Sequence, residues 1–295
     1  MAAPVTVTDD RGRALDFHAP PRRVVSLVPS DTLSVAALGC EGALVGRTDY
    51  CELPAEVVAG LPSVGGTKNP RIDAVCDLSP DLVLANQEEN TRGDVEELAR
   101  RGIRVYVAFP KRVADGLAHL ARLARIFRVE GDAGVKELVR AGYHALRGAE
   151  QARASARPLR TFCPIWMTPL MTIHGDTFIS DMLDLCGAQN VFADRQRRYP
   201  LAADLGRAEP LPPEKVEGRD VRYPRVTTEE LVARAPELVL LPDEPYAFAP
   251  DDGPEAFPGR RVELVPGRWL TWYGPAMVEA RAGLEALIGG GPPAG

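Results

Sequence analysis

The longest helical pattern of apolar positions lies between Pro110 and Pro158, a stretch free of proline in a chain that has 27 prolines. Val113, Leu117, Leu120, Leu123 and Phe127 recur at helical spacing, and after a break near Gly131 the pattern resumes. In the second piece Val135, Leu138, Val139 and Leu146 make one apolar stripe, with Lys136, Arg140, Arg147 and Glu150 on the other side. With Asp132 as its cap, this helix is expected over 132–156. That is about 25 residues, or about 37 Å at about 1.5 Å per residue, a strut long enough to cross a small domain.

On either side of the strut, short apolar runs alternate with helical segments. Before it, residues 5–17 read as an edge hairpin around Asp10-Arg11-Gly12. A buried strand over 23–28 ends at Pro29, and a helix follows over 31–38, capped by Ser30 or Asp31. A strand at 43–46, a helical turn at 54–59 and a loop at 65–70 come next. Then the pattern predicts a helix over 71–78, a strand at 81–85, a helix over 91–101 and a strand at 103–107. Beyond the strut, strands are expected at 160–165, 171–173, 238–241 and 262–265, and helices at 177–185, 228–234 and 275–288. Residues 192–225, rich in Pro, Arg and Asp, read as a long surface excursion, and the tail from Gly289 as disordered. This alternation predicts an α/β fold in two lobes with mainly parallel sheets. The boundaries are 1–110 for the first lobe, 111–157 for a helical linker and 158–295 for the second.

An internal repeat links the halves. Leu78-Ser-Pro-Asp-Leu-Val-Leu-Ala matches Arg234-Ala-Pro-Glu-Leu-Val-Leu-Leu, proline on proline. Seven residues ahead of Pro80 stands Asp73, and seven ahead of Pro236 stands Glu229, so each lobe carries one carboxylate near the start of an equivalent helix. Acids there stabilise the helix dipole and need no other role, but finding the pair at matched positions of two lobes weakens that reading.

Composition narrows the function. A net charge of −6 and a pI near 5.4 argue against a nucleic-acid partner, and no apolar run reaches the roughly 18 residues of a membrane span. Five cysteines with no CxxC indicate neither a disulfide framework nor a zinc knuckle, and most are expected to be small buried hydrophobes. HExxH, GxSxG and GxGxxG motifs are absent, and residues 60–68 lack the Gly-Lys-Ser/Thr order of a phosphate loop. Of four histidines, His119 and His144 fall in the strut region, which argues against a three-histidine zinc centre, while His174 sits where a strand ends. No nucleophile, base and orienting group assemble, so a binding protein is expected rather than an enzyme.

What does cluster near predicted strand ends is aromatic and amide-rich. Tyr50, Asn69, Asn86 and Glu88 stand in the first half. Trp166, His174, Tyr199, Tyr246, Trp272 and Tyr273 stand in the second. Met171 and Trp269 belong to the same set, and no tryptophan falls in a predicted helix. Aromatic faces with a few polar groups suit a large, flat, partly apolar ligand. Trp272 and Tyr273 also fit a simpler role, packing the closing helix.

The segments Val24–Ser30, Tyr50-Cys51, Asn69–Asp73, Ser79–Leu84, Asp181-Met182-Leu183 with Gly187, and Val226–Pro236 resemble the substrate-binding proteins of metal-chelate ABC importers. That family comprises the cobalamin, ferric-siderophore and haem receptors with a helical backbone, and the likeness spans nearly the whole chain. It implies the type III periplasmic binding protein architecture, two α/β lobes joined by one rigid helix, with affinity arising from a pre-formed cleft. It also implies docking to an importer permease through Asp73, where cobalamin-binding members carry glutamate, and Glu229. The nearest matches to the ligand-flanking aromatics are Tyr50, Trp166 and a residue within 269–273.

The resemblance implies no intrinsic cofactor and a monomer that does not insert into the membrane. Its cargo would be cobalamin first, then a ferric siderophore, whose charge the Arg195–Arg198 cluster would face, then haem, whose iron Tyr50, His174 or Tyr199 would bind. An extracytoplasmic location follows from the family. The N-terminal residues show no leader pattern, so the expectation is a mature form or a cytosolic chelate carrier or sensor. A chelatase-like enzyme using Glu88, Glu89, His174 and Glu244 is the third reading.

Overall fold

The computed structural model describes residues 3–153, 157–252 and 256–290. They divide into two compact units, the first comprising Met1–Pro110, Ala114–His144 and Trp272–Ala276, the second Lys111–Val113, Ala145–Thr271 and Met277–Gly295.

The first unit opens with an antiparallel hairpin of β1 (Val5–Thr8) and β2 (Ala14–Phe17), turned at Gly12 in the left-handed region. Then follow β3 (Val24–Ser26), α1 (Pro29–Ala37), β4 (Leu44–Arg47), α2 (Ala55–Val58), α3 (Ile72–Asp77), β5 (Leu82–Asn86), α4 (Arg92–Arg100) and β6 (Val105–Ala108). The sheet order is β4-β3-β5-β6, all parallel. Every residue of β3, β5 and β6 is buried, as expected of strands covered on both faces.

Pro29 begins α1 rather than merely ending β3, since the first helical turn needs no N–H. Val28 therefore holds the cap position, and neither Ser30 nor Asp31 caps the helix; both side chains are buried.

The helical pair after β6 is α5 (Val113–Phe127) and α6 (Ala133–Arg153). The expected end of α6 at 156 lies outside the described residues. Its 21 residues span about 31 Å. The predicted stripe is only half right: Val135 is buried, but Leu138, Val139 and Leu146 are half-buried. The buried line instead runs Val135, Gly142, Ala149, one residue in seven, and most of the helix surface is exposed. Gly142 is there for close approach, because a Cβ on it would stand 2.5 Å from Leu117 Cδ2 of α5.

The second unit contains β7 (Leu159–Phe162), β8 (Pro164–Met167), β9 (Leu170–Thr172), α7 (Phe178–Leu185), β10 (Ala188–Asn190), α8 (Leu201–Asp204), α9 (Thr228–Arg234), β11 (Leu238–Pro242), β12 (Arg261–Val265), α10 (Arg268–Thr271) and α11 (Ala276–Ile288). Its main sheet, β10-β7-β11-β12, is again parallel. Phe162 anchors the core, with the rings of Phe192 and Phe257 at 5.5 and 5.8 Å.

Two expectations are corrected here, and a third gains detail. The single strand over 160–165 is two: β7 enters the main sheet, and past Cys163 the chain turns into a β8–β9 hairpin. The excursion over 192–225 lies mostly at the surface, as expected, and is pinned at a few buried points. Arg195 and Asp204 are both buried and bonded at 3.1 Å, and Arg195 Nε donates to Glu230 at 2.9 Å. Asp204 also accepts from the backbone amides of Arg198 (2.8 Å) and Arg225 (2.7 Å), so one carboxylate ties three points of the segment together. Trp269 lies inside the short α10, where its ring covers Gly283 and its Nε1 donates to Glu279 at 3.1 Å. The tail from 291 lies outside the described residues.

The sequence repeat extends to atomic detail. Ser79 and Ala235, each just before the repeated proline, adopt positive φ (46° and 44°). In the first unit the Arg23 guanidinium donates to the carbonyls of Leu78 and Ser79, while Asp81 accepts from the amides of Arg22 and Arg23 at 2.8 and 3.1 Å. In the second, Arg160 donates to the carbonyls of Arg234 and Ala235, and Glu237 accepts from the Arg160 amide at 3.2 Å. Each arginine satisfies carbonyls that a helix C-terminus leaves without partners.

Candidate ligand-binding site

In a parallel sheet the loops that follow the strands share one edge, the usual place for a ligand. In the first unit this edge carries Tyr50, the loop 65–70 and residues 86–90. Tyr50 is 61% exposed, the most open large hydrophobic side chain of that edge. Its ring lies 3.5 Å from where a Cβ of Gly66 would stand, and the Asn69 Oδ1 would lie 2.3 Å from the same point. Gly66 thus lets Tyr50 and Asn69 close on one backbone turn. Lys68 reaches from this loop to the Glu88 carbonyl. Tyr50, Asn69 and Glu88 are brought to one surface.

Asn86 and Asn90, by contrast, are buried and serve the loop. Asn86 Oδ1 accepts from the Glu88 amide at 2.7 Å, and Asn86 Nδ2 donates to Tyr273 Oη at 3.3 Å. Asn90 donates to Thr67 O at 2.9 Å and accepts from the Asn86 amide at 2.8 Å. Tyr273 is interior as well. Its amide donates to Ser30 Oγ at 3.3 Å, and burial with the nearby Asp31 charge holds its phenol well above the ordinary value. Trp272, beside it, is buried too. Trp272 and Tyr273 thus pack within the first unit, together with Gly274, whose missing Cβ makes room for Ser34.

Sequence reasoning missed the group beneath them. Asp31 and His119 are both 0% exposed and joined Oδ1 to Nε2 at 2.6 Å. The imidazole stacks on Tyr106 at 5.6 Å and meets the edge of Tyr273 at 5.3 Å. Asp31 looked like a helix cap and His119 like one position of a periodic helix. Neither signal reveals a partner 88 residues away.

In the second unit Trp166, on β8, is 43% exposed and holds its Nε1 on the Thr168 carbonyl at 3.1 Å. Tyr246 meets it edge to face at 5.3 Å, and Phe248 backs Tyr246 at 4.6 Å and enters the core. The result is an aromatic platform fixed from behind and open in front. Tyr199 stands with Arg197 on its ring at 4.7 Å and Arg219 at 5.0 Å, its hydroxyl donating to Asp220 O at 2.8 Å. His174 Nδ1 accepts from the Asp176 amide at 3.0 Å. The Arg195 part of the cluster expected to face a chelate is instead buried in its ion pairs. Glu244 accepts from Thr271 Oγ1 at 2.7 Å. Among the described residues no three His, Cys, Asp or Glu side chains form a group able to hold a metal ion.

The two matched carboxylates are both exposed on short helices. Asp73 pairs with Arg101 at 2.6 Å. Glu229 is held below the ordinary carboxylate range by its own backbone amide and by Thr227, which caps α9. No helix of the described residues is long and apolar enough to cross a membrane.

The vitamin B12-binding protein of Yersinia pestis (strain Pestoides F) is 27% identical over 220 residues, covering 74% of this chain and 69% of that protein. That of Photorhabdus laumondii is 26% identical over 225 residues, covering 76% and 72%. Among solved structures, the periplasmic vitamin B12 binding protein of Vibrio cholerae superposes with a TM-score of 0.69 at 19% identity, over 92% of this chain and 97% of that one. A periplasmic heme binding protein from Pseudomonas aeruginosa gives 0.70 at 20% identity, over 93% and 95%. These likenesses bear out the α/β fold class. The family model described as periplasmic binding protein matches residues 24–243, and the chain belongs to that family.

Proposed function

We propose that this chain is the substrate-binding component of an ABC importer for a metal chelate, with cobalamin the first choice of cargo and haem or a ferric siderophore next. The observation that carries the reading is the similarity to vitamin B12-binding proteins over three quarters of the chain. The geometry supports it. Each unit offers an exposed aromatic, Tyr50 or Trp166, on a fixed support, as a large flat ligand requires. The protein would act outside the cytoplasmic membrane, as a binding protein without catalytic turnover, and would present Asp73 and Glu229 to a permease.

The test is an ultraviolet-visible and tryptophan-fluorescence titration of the purified chain with cyanocobalamin, haemin and ferrichrome. A stoichiometric response to one of them, with Trp166→Ala weakening it, is expected. Absence of any saturable response would refute the chelate reading.

A further inference from the structure

The loop over 86–90 is built around one side chain. Asn86, the last residue of β5, is buried, and its Oδ1 accepts from the amides of Glu88 and Glu89 at 2.7 and 3.4 Å. Asn90 closes the turn: its amide donates to Asn86 O at 2.9 Å, and its Oδ1 accepts from the Asn86 amide at 2.8 Å. Asn90 Nδ2 then donates to Thr67 O at 2.9 Å, and Lys68 bonds the Glu88 carbonyl. The loops 65–70 and 86–90 are thereby tied into one rim beside Tyr50.

A carboxamide has two unlike ends of nearly the same shape. With the Asn86 group turned over, its NH2 would face the amide hydrogens of Glu88 and Glu89, donor against donor, and the loop would lose both bonds. An acceptor on the far side fixes the orientation, since Nδ2 donates to Tyr273 Oη at 3.3 Å. Tyr273 is in turn held at several points. Its amide donates to Ser30 Oγ at 3.3 Å, its ring meets the edge of His119 at 5.3 Å, and the missing Cβ of Gly274 lets the chain close on Ser34. For Oη to accept from Asn86, its own proton must point elsewhere. Asp31 supplies the direction: its Oδ2 is buried without a hydrogen-bond partner of its own, its charge faces the phenol, and His119 holds its Oδ1 at 2.6 Å. Packing alone would be served by phenylalanine at 273, because a buried hydroxyl costs free energy unless it is bonded.

We infer that Tyr273 is a positioning residue for ligand binding: through Asn86 its hydroxyl holds the rim that carries Lys68, Asn69 and Glu88 in the shape that receives the bound chelate. This rests on the chelate-binding reading and deepens it. The first unit's share of the affinity then depends on a buried residue that comes to the loop from 187 positions along the chain.

The test is a double-mutant cycle in the full chain, with Tyr273→Phe, Asn86→Ala and both together. Tyr273→Phe keeps the ring against His119 and removes only the hydroxyl. The first readout needs no ligand: amide hydrogen exchange followed residue by residue by NMR. Tyr273→Phe should speed exchange at Glu88 and Glu89 about five- to tenfold, as loss of one hydrogen bond of ordinary strength does, while the amides of Leu82–Ala85 keep their parental rates. On the Asn86→Ala background the same substitution should change nothing at Glu88 and Glu89, because its route to the loop is gone. A packing role predicts equal acceleration on both backgrounds. The Asn86 side-chain NH2 signals give a further measure that needs no substitution at 86, and they should shift in Tyr273→Phe. The second readout is affinity for whichever of cyanocobalamin, haemin and ferrichrome saturates the parent. Each single variant should weaken it about three- to tenfold, and the double variant no more than Asn86→Ala alone.

Exchange at Glu88 and Glu89 that Tyr273→Phe leaves unmoved, or accelerates equally on both backgrounds, overturns the inference. Exchange that responds as expected while chelate affinity stays at the parental value overturns the role in binding and leaves the importer reading intact. If exchange responds and none of the three chelates binds, the importer reading fails and the hold of Tyr273 on the loop stands.

Discussion

The buried Asp31–His119 pair offers the sharpest test of how the first unit is held together. His119→Phe keeps a flat ring against Tyr106 and Tyr273 but removes the nitrogen 2.6 Å from Asp31. Both side chains are wholly buried, so no water replaces the lost partner. Breaking one side of a buried pair costs about 3–5 kcal/mol, because the remaining carboxylate stays in the interior without its counterpart. At about 2–4 °C per kcal/mol for a unit of this size, the melting temperature should fall by about 6–20 °C. Asp31→Asn on the His119→Phe background should restore about 1–3 kcal/mol, since a neutral amide is far cheaper to bury than a carboxylate. Urea unfolding followed by circular dichroism, with hydrogen exchange of peptides from α1 and α5 to localise the change, measures both quantities. A loss below about 1 kcal/mol for His119→Phe, or a double variant whose cost is the sum of the single ones, would refute the assignment of this pair as a coupled unit.

Further expectations follow from other parts of the fold. Burial pushes the thiols of Cys163 and Cys186 up to about 12, and Cys51 is also buried and raised, whereas Cys40, though raised as well, and Cys76 are partly exposed, so iodoacetamide at pH 8 should label only Cys40 and Cys76 in the native chain and all five cysteines in denaturant; early mass-spectrometric labelling of Cys163 would contradict its burial between β7 and β8. Glu89 is held above the ordinary 4.5 by burial, so the folded chain binds this proton more tightly than the unfolded one, and its contribution to stability falls as pH rises from about 4.5 through the raised folded value. Glu89→Gln should therefore be more stable than the parent at pH 7, with a gap that narrows towards pH 4; a gap independent of pH rejects the assignment. Ser79→Gly and Ala235→Gly should each raise stability by about 0.5–1 kcal/mol, as glycine adopts positive φ without a Cβ penalty, and a loss in either would show that the side chain matters more than the backbone. Reversing Asp73 and Glu229 together to lysine should abolish permease-dependent uptake while leaving ligand affinity unchanged; uptake at the parental rate removes both residues from docking.

Much of the fold was legible because it is written in local signals. The parallel strands announced themselves as short apolar runs, and Thr91, Thr177 and Thr227 cap their helices through the amides of Asp94, Ser180 and Glu230, a three-residue relation that sequence displays directly. What stayed hidden has no local signal. β10 is three residues long and follows Gly187 too closely to show alternation. The division of 160–165 into β7 and β8 depends on which sheet each half joins, which periodicity does not encode. Asn86 and Tyr273 are of residue types that suit a ligand, and sequence alone places them at strand ends. Their amide and phenol bond each other across 187 residues, a distance no spacing rule spans.

The repeat shows where the boundary between legible and hidden lies. Proline, acid and apolar run recur at equal spacing, so the match of Pro80 to Pro236 and Asp81 to Glu237 could be read without any structure. The arginine that completes each copy stands far upstream, Arg23 before one strand and Arg160 within the other, and only the fold brings it onto the helix-end carbonyls. The two copies then diverge at their carboxylates. Asp73 is drawn to Arg101, whereas Glu229 interacts with the cap of its own helix. A partner that recognises both must displace Arg101 in one unit and nothing comparable in the other. Arg101→Gln should therefore strengthen docking through Asp73, and a permease affinity unmoved by that substitution would mean that the Asp73–Arg101 pair persists in the complex or lies outside it.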